Sequence, residues 1–435
     1  MKARANFIFI YVPLLCIMTG TLMAEETVTW EECVRQAKLN NPDLVSAWEK
    51  LSQAKATKEI TRSNVMPQIS SDGGLTKTKS APGSSSFTST SSSSGRITTN
   101  YTYELTAQQL VFDGFKTSYD LSSDERDIRA SRYYYDVTSS NVRLNLRTAY
   151  ANLLGAQESL KVTEDIEARR KQNYELVKLR YEGGREHRGS LLTAEADVAQ
   201  ASYEVTEARR NIYLAQRQLT KEIGRRQFVP MIAQGDFEVK EPDTEKPEFE
   251  KLAEDTPLLR QLIEQKESAR FGVNSAKAEF FPQIYTNASV GNTKNRWFPD
   301  KNQWSMGASF TLPIFEGGSR LANLDKSKAL YSQYQADERS GRDGVILTLA
   351  DTWTQLQDAM DLVGVQQKFL EATRERSKIA ESEYSIGLLS FDNWIIIEDD
   401  FVNAKKNLLS AQVNALRAEA NWIQAKGGTL DYDQR

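Results

Sequence analysis

The segment Arg180-Tyr181-Glu182-Gly183-Gly184 ends the run 116–182, which contains no proline and a single glycine, Gly155. A related segment, Glu383-Tyr384-Ser385-Ile386-Gly387, ends a second proline-free run about 200 residues further on, a spacing that indicates an internal repeat. At a rise of about 1.5 Å per residue, each run predicts an α-helix about 100 Å long. The glycines predict the turns at which each long helix reverses into a shorter partner.

These two runs belong to a duplication that covers most of the chain. The other corresponding segments are Asn41-Pro42 and Thr256-Pro257, Pro67-Gln68-Ile69 and Pro282-Gln283-Ile284, and Phe112-Asp113-Gly114 and Phe315-Glu316-Gly317. The spacing between the copies changes only across the serine-rich stretch 80–95, which the second copy lacks. A constant order with one length-tolerant loop indicates a structural repeat.

Each copy is predicted to run in the order helix, two strands, very long helix and returning helix. Lys2 and Arg4 precede a short apolar run, which predicts a secretory signal peptide, with a retained anchor helix as the alternative. The predicted organisation is a signal peptide at 1–24, a first repeat at 25–224, a linker at 225–256, a second repeat at 257–428 and a tail at 429–435. Strands are expected at about 64–112 and 281–315, and helical hairpins at 116–224 and 319–427.

The returning helices carry a seven-residue period. In the first copy the recurring residues are Leu191, Val198, Val205, Ile212 and Leu219, beside the alanines Ala194, Ala201, Ala208 and Ala215. Trp394, Phe401 and Leu408 continue the first column in the second copy, where Ile397, Ala404 and Ala411 continue the other. This period indicates coiled-coil packing. An ordinary helical bundle is the alternative, although helices this long favour an extended assembly.

The strands alternate between apolar and polar residues. Trp304, Met306, Ala308, Phe310, Leu312 and Ile314 would share one face, and Gln303, Ser305, Gly307, Ser309 and Thr311 the other. Such alternation is typical of transmembrane barrel strands that line water, but it fits a half-buried sheet in a soluble sandwich equally well. The signal peptide and the aromatic residues near the strand ends favour the barrel, namely Tyr101, Trp297, Phe298, Trp304 and Phe315. Four strands cannot close a barrel, so several chains would have to contribute strands.

The composition argues against several other functions. His187 is the single histidine, and Cys33 is the cysteine that remains after removal of the signal peptide. We therefore expect no metal site, no cofactor and no catalytic residue. A net charge of −4 lacks the basic footprint of a nucleic-acid-binding protein.

Taken together, the order and spacing of these motifs resemble the outer-membrane efflux (TolC-like) family over essentially the whole mature chain. The resemblance implies a mixed, mainly α fold: a trimeric 12-stranded outer-membrane β-barrel continued by a long periplasmic α-helical coiled-coil barrel. It implies a passive conduit for efflux or type I secretion, with a periplasmic adaptor and an inner-membrane pump as partners. The alternative is a soluble periplasmic coiled-coil adaptor or scaffold.

The resemblance also implies functional residues at the two hairpin ends, in loops 183–189 and 386–390. The expected adaptor contacts are Gly183, Gly184, Ile386, Gly387, Leu388 and Leu389, with a packed hairpin end as the alternative. Asp392 and Asn393 are the candidates for the periplasmic mouth, although Asp392 also suits an ordinary helix N-terminus.

Three further features lead to specific expectations. Glu398-Asp399-Asp400 and Arg169-Arg170-Lys171 are expected to be solvated charges, because adjacent residues on a helix do not share a face. Phe115 stands where the repeat pattern has a second glycine, which predicts a more tightly packed bend.

Overall fold

The computed structural model describes residues 26–79, 97–237, 239, 246–295, 297 and 302–432. The predicted signal peptide, the serine-rich stretch and Phe298 lie outside these residues. In chain order the helices are α1 (Trp30–Asn40), α2 (Pro42–Ser63), α3 (Lys116–Glu182), α4 (Arg188–Ile223), α5 (Phe249–Asp255), α6 (Pro257–Ala278), α7 (Ser319–Ile386) and α8 (Phe391–Ala425). The strands are β1 (Glu26–Val28), β2 (Gln68–Lys79), β3 (Ile97–Phe112), β4 (Met231–Ala233), β5 (Gln283–Lys294) and β6 (Gln303–Thr311). Within the described ranges, no helix is both long enough and apolar enough to cross a membrane.

Beside each long helix, short and returning helices share one column: α2 and α4 lie beside α3, and α6 and α8 lie beside α7. Asn41 separates α1 from α2, because its side chain accepts hydrogen bonds from the N–H groups of Asp43 and Leu44 and caps the new helix. Pro42 suits the first helical position, where no N–H is needed. Thr256 and Pro257 begin α6 in the second copy.

The junction between a short helix and a returning helix requires glycine in both copies. Gly224, with φ of +81°, ends α4, and a Cβ there would lie 2.4 Å from the carbonyl oxygen of Asn40. Gly427, with φ of +78°, follows α8, and a Cβ there would lie 2.2 Å from Cδ of Pro257. Close approach and positive φ together explain why the repeat keeps these two glycines.

The helices form four neighbouring columns. α3 packs against α2 and α4 on one side and against α6 and α8 on the other, and α7 packs against α6 and α8. The largest cluster of buried apolar residues lies where α1, α3, α4 and the parallel pair β1–β4 meet. Residues 225–256, which the sequence predicts to be a linker, contain β4 and α5.

The other strands form one antiparallel sheet in the order β2-β3-β5-β6, so the two copies meet at β3 and β5. We call the side of Leu105, Val290, Trp304 and Met306 the apolar face, and that of Thr106, Ser289 and Ser305 the polar face. Both faces are open to the surroundings, and Trp304 is 78% exposed. The predicted alternation through Ile314 is too long, because β6 ends at Thr311, before Pro313. Proline has no N–H to donate to a neighbouring strand.

The bend before α3 differs from the prediction of tight packing. Phe115 is 65% exposed and has φ of +68°, in the left-handed region that non-glycine residues rarely adopt. Gly318 holds the same position before α7, with φ of +87°. The replacement of glycine by Phe115 therefore produced a strained bend rather than a packed one.

Candidate functional site at the ends of the helical hairpins

The first hairpin, α3–α4, turns through residues 183–187. Gly184 has φ of +70° and follows the end of α3, so a side chain there would be strained. Gly183 has φ of −79° and does not need to be glycine on conformational grounds. His187 caps α4, because its Nδ1 accepts a hydrogen bond from the N–H of Ser190 at 3.2 Å.

The second hairpin, α7–α8, turns at Gly387, which has φ of +87°. Ile386 and Leu388 are exposed by 72% and 77%, whereas Leu389 is half-buried against the apolar cluster at this end. Asp392 and Asn393 lie exposed on the first turn of α8. The structure thus separates the predicted residues into exposed ones and one that packs inward.

The two hairpin ends touch through a contact that the sequence did not predict. We call Arg180, Glu186, Tyr384 and Trp394 the tip contact. The hydroxyl of Tyr384 donates to Oε2 of Glu186 at 2.9 Å, and Arg180 donates to the carbonyl oxygen of Tyr384 at 2.5 Å. The ring of Tyr384 stacks on buried Trp394 with centroids 4.2 Å apart. Burial and the bond to Glu186 raise the pKa of Tyr384, so this hydroxyl stays protonated and remains a donor.

Further along the hairpins, a buried carboxylate joins α3, α7 and α8. Glu398 is 1% exposed and accepts hydrogen bonds from Nε of Arg169 at 2.6 Å and from Oγ of Ser377 at 2.5 Å. Asn173 donates to the same carboxylate at 3.3 Å. We call these four residues the buried ion cluster. The expectation that Arg169 and Glu398 are solvated was therefore wrong.

The neighbouring charges extend this cluster to α4. Arg170, which is also buried, donates to Asp399 on α8 and lies 3.8 Å from Asp197 on α4. Asp400 fits the prediction better, because its partner Arg376 and its own side chain are largely exposed. The charged run 398–400 thus contributes to two different environments.

The pKa values of two carboxyl groups in this region are shifted in opposite directions. Burial alone would raise the pKa of Glu398, but hydrogen bonds from Arg169 and Ser377 outweigh it and hold the pKa below its usual range. Burial raises the pKa of Asp197, and the attraction of Arg170 only partly opposes this effect. The lowered pKa favours the ionised form of Glu398, which is the form that pairs with the guanidinium of Arg169.

This geometry suits mechanical coupling. The tip contact and the buried ion cluster each link the first hairpin to the second, and donors and acceptors lie within hydrogen-bond distance in both. In the part of the chain that the structure describes, no group of three His, Cys, Asp or Glu residues is placed to hold a metal ion.

A signal for Glu398 was present in the heptad pattern. Glu398 follows Trp394 by four residues and precedes Phe401 by three, and both aromatic residues lie in the apolar column. Residues at these spacings share one helix face. Its carboxylate could therefore have been expected at the packed seam, although its partner Arg169 could not.

The chain matches a family model described as outer membrane efflux protein over residues 33–225 and 249–428. It is similar to the pyoverdine export outer membrane protein OpmQ of Pseudomonas aeruginosa, at 25% identity over 82% of this chain and 76% of that protein. It is also similar to the outer membrane protein TolC of Escherichia coli, at 24% identity over 86% and 76% of the two chains. A crystal structure of CusC superposes with a TM-score of 0.81 at 18% identity, covering 91% of each chain.

Proposed function

The chain belongs to the outer membrane efflux protein family, and on that premise we propose that three copies assemble into one passive channel with a twelve-stranded barrel. The family is one of outer-membrane channels rather than enzymes, and these channels extend a helical domain into the periplasm. The matched proteins support this channel function rather than a soluble periplasmic adaptor or scaffold.

The open edges of the four-stranded sheet support assembly of the barrel from several chains. β2 and β6 are its outer strands, and each has a partner on one side only. Such edges are not tolerated in lipid, where every backbone polar group must be paired. If β6 of one subunit pairs with β2 of the next, three four-stranded sheets close a barrel without edges. The exposed apolar face then meets lipid and the polar face lines the channel.

The helical columns support the same arrangement. α7 is the outermost column on one side, and it exposes Leu321, Leu347 and Phe369. α2 and α4 form the outermost column on the other side, where Ile60 and Leu214 are exposed. If α7 of one subunit packs against the α2 and α4 column of the next, the subunits form a head-to-tail ring. The ring closes when a whole number of subunits completes one full rotation.

The size of the purified assembly tests this proposal. Light scattering in detergent should give a protein mass about three times that of one chain, and the protein should leave membranes only on addition of detergent. A monomer that stays soluble without detergent would refute the channel assembly.

We propose that the hairpin ends bind a periplasmic adaptor that connects the channel to an inner-membrane pump. Ile386 and Leu388 are apolar, exposed and placed at the far end of the hairpin from the sheet. The two residues flank Gly387, and adjoining exposed apolar side chains favour a protein contact more than isolated ones do. The names of relatives refer to pyoverdine export and cation efflux, so we propose that the pump selects the cargo.

The adaptor proposal is tested by a double substitution, I386S/L388S, with export and adaptor co-purification as the measurements. Both should fall while the trimer remains assembled, because the altered side chains pack against little within the chain. The matched control is I379S on the exposed side of α7, far enough from the turn to leave adaptor binding intact. Equal losses in both proteins would argue against a docking role for the loop.

We propose that Asp392 and Asn393 line the periplasmic mouth and that the mouth opens when the second hairpin moves away from the first. This movement must break the tip contact and disturb the buried ion cluster, since both join the two hairpins. Packed interfaces of this kind switch between discrete arrangements rather than deforming continuously.

A further inference from the structure

The charged residues of the four-stranded sheet are segregated between its two faces. Asp72 and Glu104 lie directly opposite each other on β2 and β3, in the alternation of the polar face. The remaining charged residues of the four strands are Lys77, Lys79 and Lys294. They follow the alternation of the apolar face, since Lys77 pairs with Thr99, Lys79 with Ile97 and Lys294 with Tyr101.

The lysines are also confined to one end of the sheet. Every strand meets its helix at the opposite end, because α2 precedes Gln68 and Phe112 precedes α3. If the helices are periplasmic, the lysine end faces the cell exterior. The described strands place no acidic residue on the apolar face, so the charged residues that these strands contribute at this end are all lysines.

A group of aromatic residues lies beside these lysines, on the side nearer to the helices. The ring of Trp297 lies 5.4 Å from that of Tyr101 and 5.9 Å from that of Tyr103, and Trp297 is 59% exposed. Aromatic residues in membrane proteins favour the level where acyl chains give way to headgroups. Leu75 pairs with Tyr101, so Lys77 and Lys79 lie about 7 and 14 Å further along β2, at the depth of the headgroups.

Lys77 and Lys79 are exposed, and among the described residues neither takes part in an ion pair. Two adjacent cations on one face repel each other unless anions lie between or beside them. Their alkyl stems can lie along the apolar face while the ammonium groups reach the polar layer.

We propose that this basic end of the apolar face binds the anionic phosphate headgroups of the outer lipid leaflet, and so fixes the depth of the channel in the membrane. The proposal rests on the proposed function, because it requires the apolar face to meet lipid. Each lysine near a charged bilayer surface favours anionic lipid by about five-fold, and trimeric assembly would repeat the patch three times around the barrel.

The test reads lipid selectivity from tryptophan quenching in reconstituted trimers. The substitution Trp304→Phe removes the other described tryptophan of the sheet region, so that quenching by lipid reports on Trp297. Brominated lipids quench tryptophan fluorescence only at contact distance. The channel is reconstituted in phosphatidylcholine vesicles containing either brominated phosphatidylglycerol or brominated phosphatidylcholine. We expect the anionic lipid to be preferred at least five-fold around Trp297, and K77Q/K79Q to reduce the preference to less than two-fold.

Two controls separate charge from side-chain identity and position. K77R/K79R should retain the preference, because the charge is kept. D72N should also retain it, because Asp72 lies on the polar face of the same strand.

The outcomes are distinct. Equal quenching by both lipids in the parent, or full preference in K77Q/K79Q, would overturn the lipid proposal while leaving the barrel intact. Absence of quenching by either lipid would overturn the barrel and this proposal together.

Discussion

The first hairpin ends in Arg180, Gly184 and Glu186, whereas the second ends in Tyr384, Gly387 and Trp394. Both turns need a glycine with positive φ at corresponding positions, Gly184 and Gly387. Their side chains, however, are not copies of each other. In the tip contact and the buried ion cluster, the arginines come from the first hairpin and their acceptors from the second.

The difference between the side chains of the two hairpins explains how one copy of a duplicated element can bind the other. The backbone plan depends on turns and helix lengths, which both copies retain. The interface between them depends on complementary side chains, and here arginines of α3 meet Glu398 and Asp399 of α8. Identical surfaces would place like charges together, which is unfavourable.

The strongest way to break the complementarity is to remove the cation of the buried ion cluster. R169A leaves the buried carboxylate of Glu398 without its charged partner, and we expect a loss of about 3 kcal/mol of stability because an uncompensated charge is buried. Thermal unfolding of the helical domain, followed by circular dichroism, measures the loss. Single-channel conductance should rise if the cluster holds the mouth closed.

The matched control for this substitution is R374A, since Arg374 is an exposed arginine on α7. It should change neither stability nor conductance by a comparable amount. If both variants behave alike, the cluster does not link the hairpins.

A smaller perturbation removes one hydrogen bond from the tip contact. Y384F keeps the stack on Trp394 but deletes the donor to Glu186, and we expect a cost of about 1.5 kcal/mol because the acceptor is charged. Faster hydrogen exchange in loop 386–390 would report the loosened contact. Y181F, at an exposed tyrosine of the first hairpin, should leave exchange unchanged, and protection that survives in Y384F would exclude the bond as the link.

The bends before α3 and α7 allow the two copies to be compared in their backbone conformation. F115G should stabilise the first copy by about 1 kcal/mol, because glycine adopts positive φ without strain. G318A should destabilise the second copy by a similar amount, for the opposite reason. Thermal unfolding checks both values, and a destabilised F115G would mean that lost contacts with Phe112 outweigh the relief of strain.

The smallest expected effect is that of moderate acidification. The folded-state pKa of Glu398 is lowered, so its contribution is present above its usual value of 4.5 and is lost only as the pH falls through that lowered value. Conductance recorded from pH 7 to pH 5 should therefore stay constant. Opening within this range would assign control of the mouth to another carboxylate.

Local chemistry made much of the fold predictable. The proline-free interval 116–182 has the bounds of α3, and β2 and β3 both lie within the region 64–112 where strands are expected. Asn41 and Pro42 mark a helix start in any context, because capping and fixed φ act within a few residues. The end of β6 was predicted less well, since apolar alternation continued beyond Thr311 although Pro313 cannot support the ladder.

The candidate site was only partly predictable. The turns were located from Gly184 and Gly387, and the exposure of Ile386 and Leu388 is as expected for loop residues. The inward packing of Leu389 and the stacking of Tyr384 on Trp394 were not predicted, because both depend on how the hairpin end closes.

The sequence by itself determined the duplication, the lengths of the helices and the positions of their turns, since periodicity, proline and glycine act over short distances. Only the tertiary structure decided which charges leave water. Arg169 and Glu398 are 229 residues apart in the chain. The heptad pattern places Glu398 near the packed seam, but nothing in the sequence around either residue identifies the other as its partner. Burial became favourable when packing of α3 against α8 brought opposite charges and hydrogen-bond donors together, because a desolvated ion is stable only with such partners.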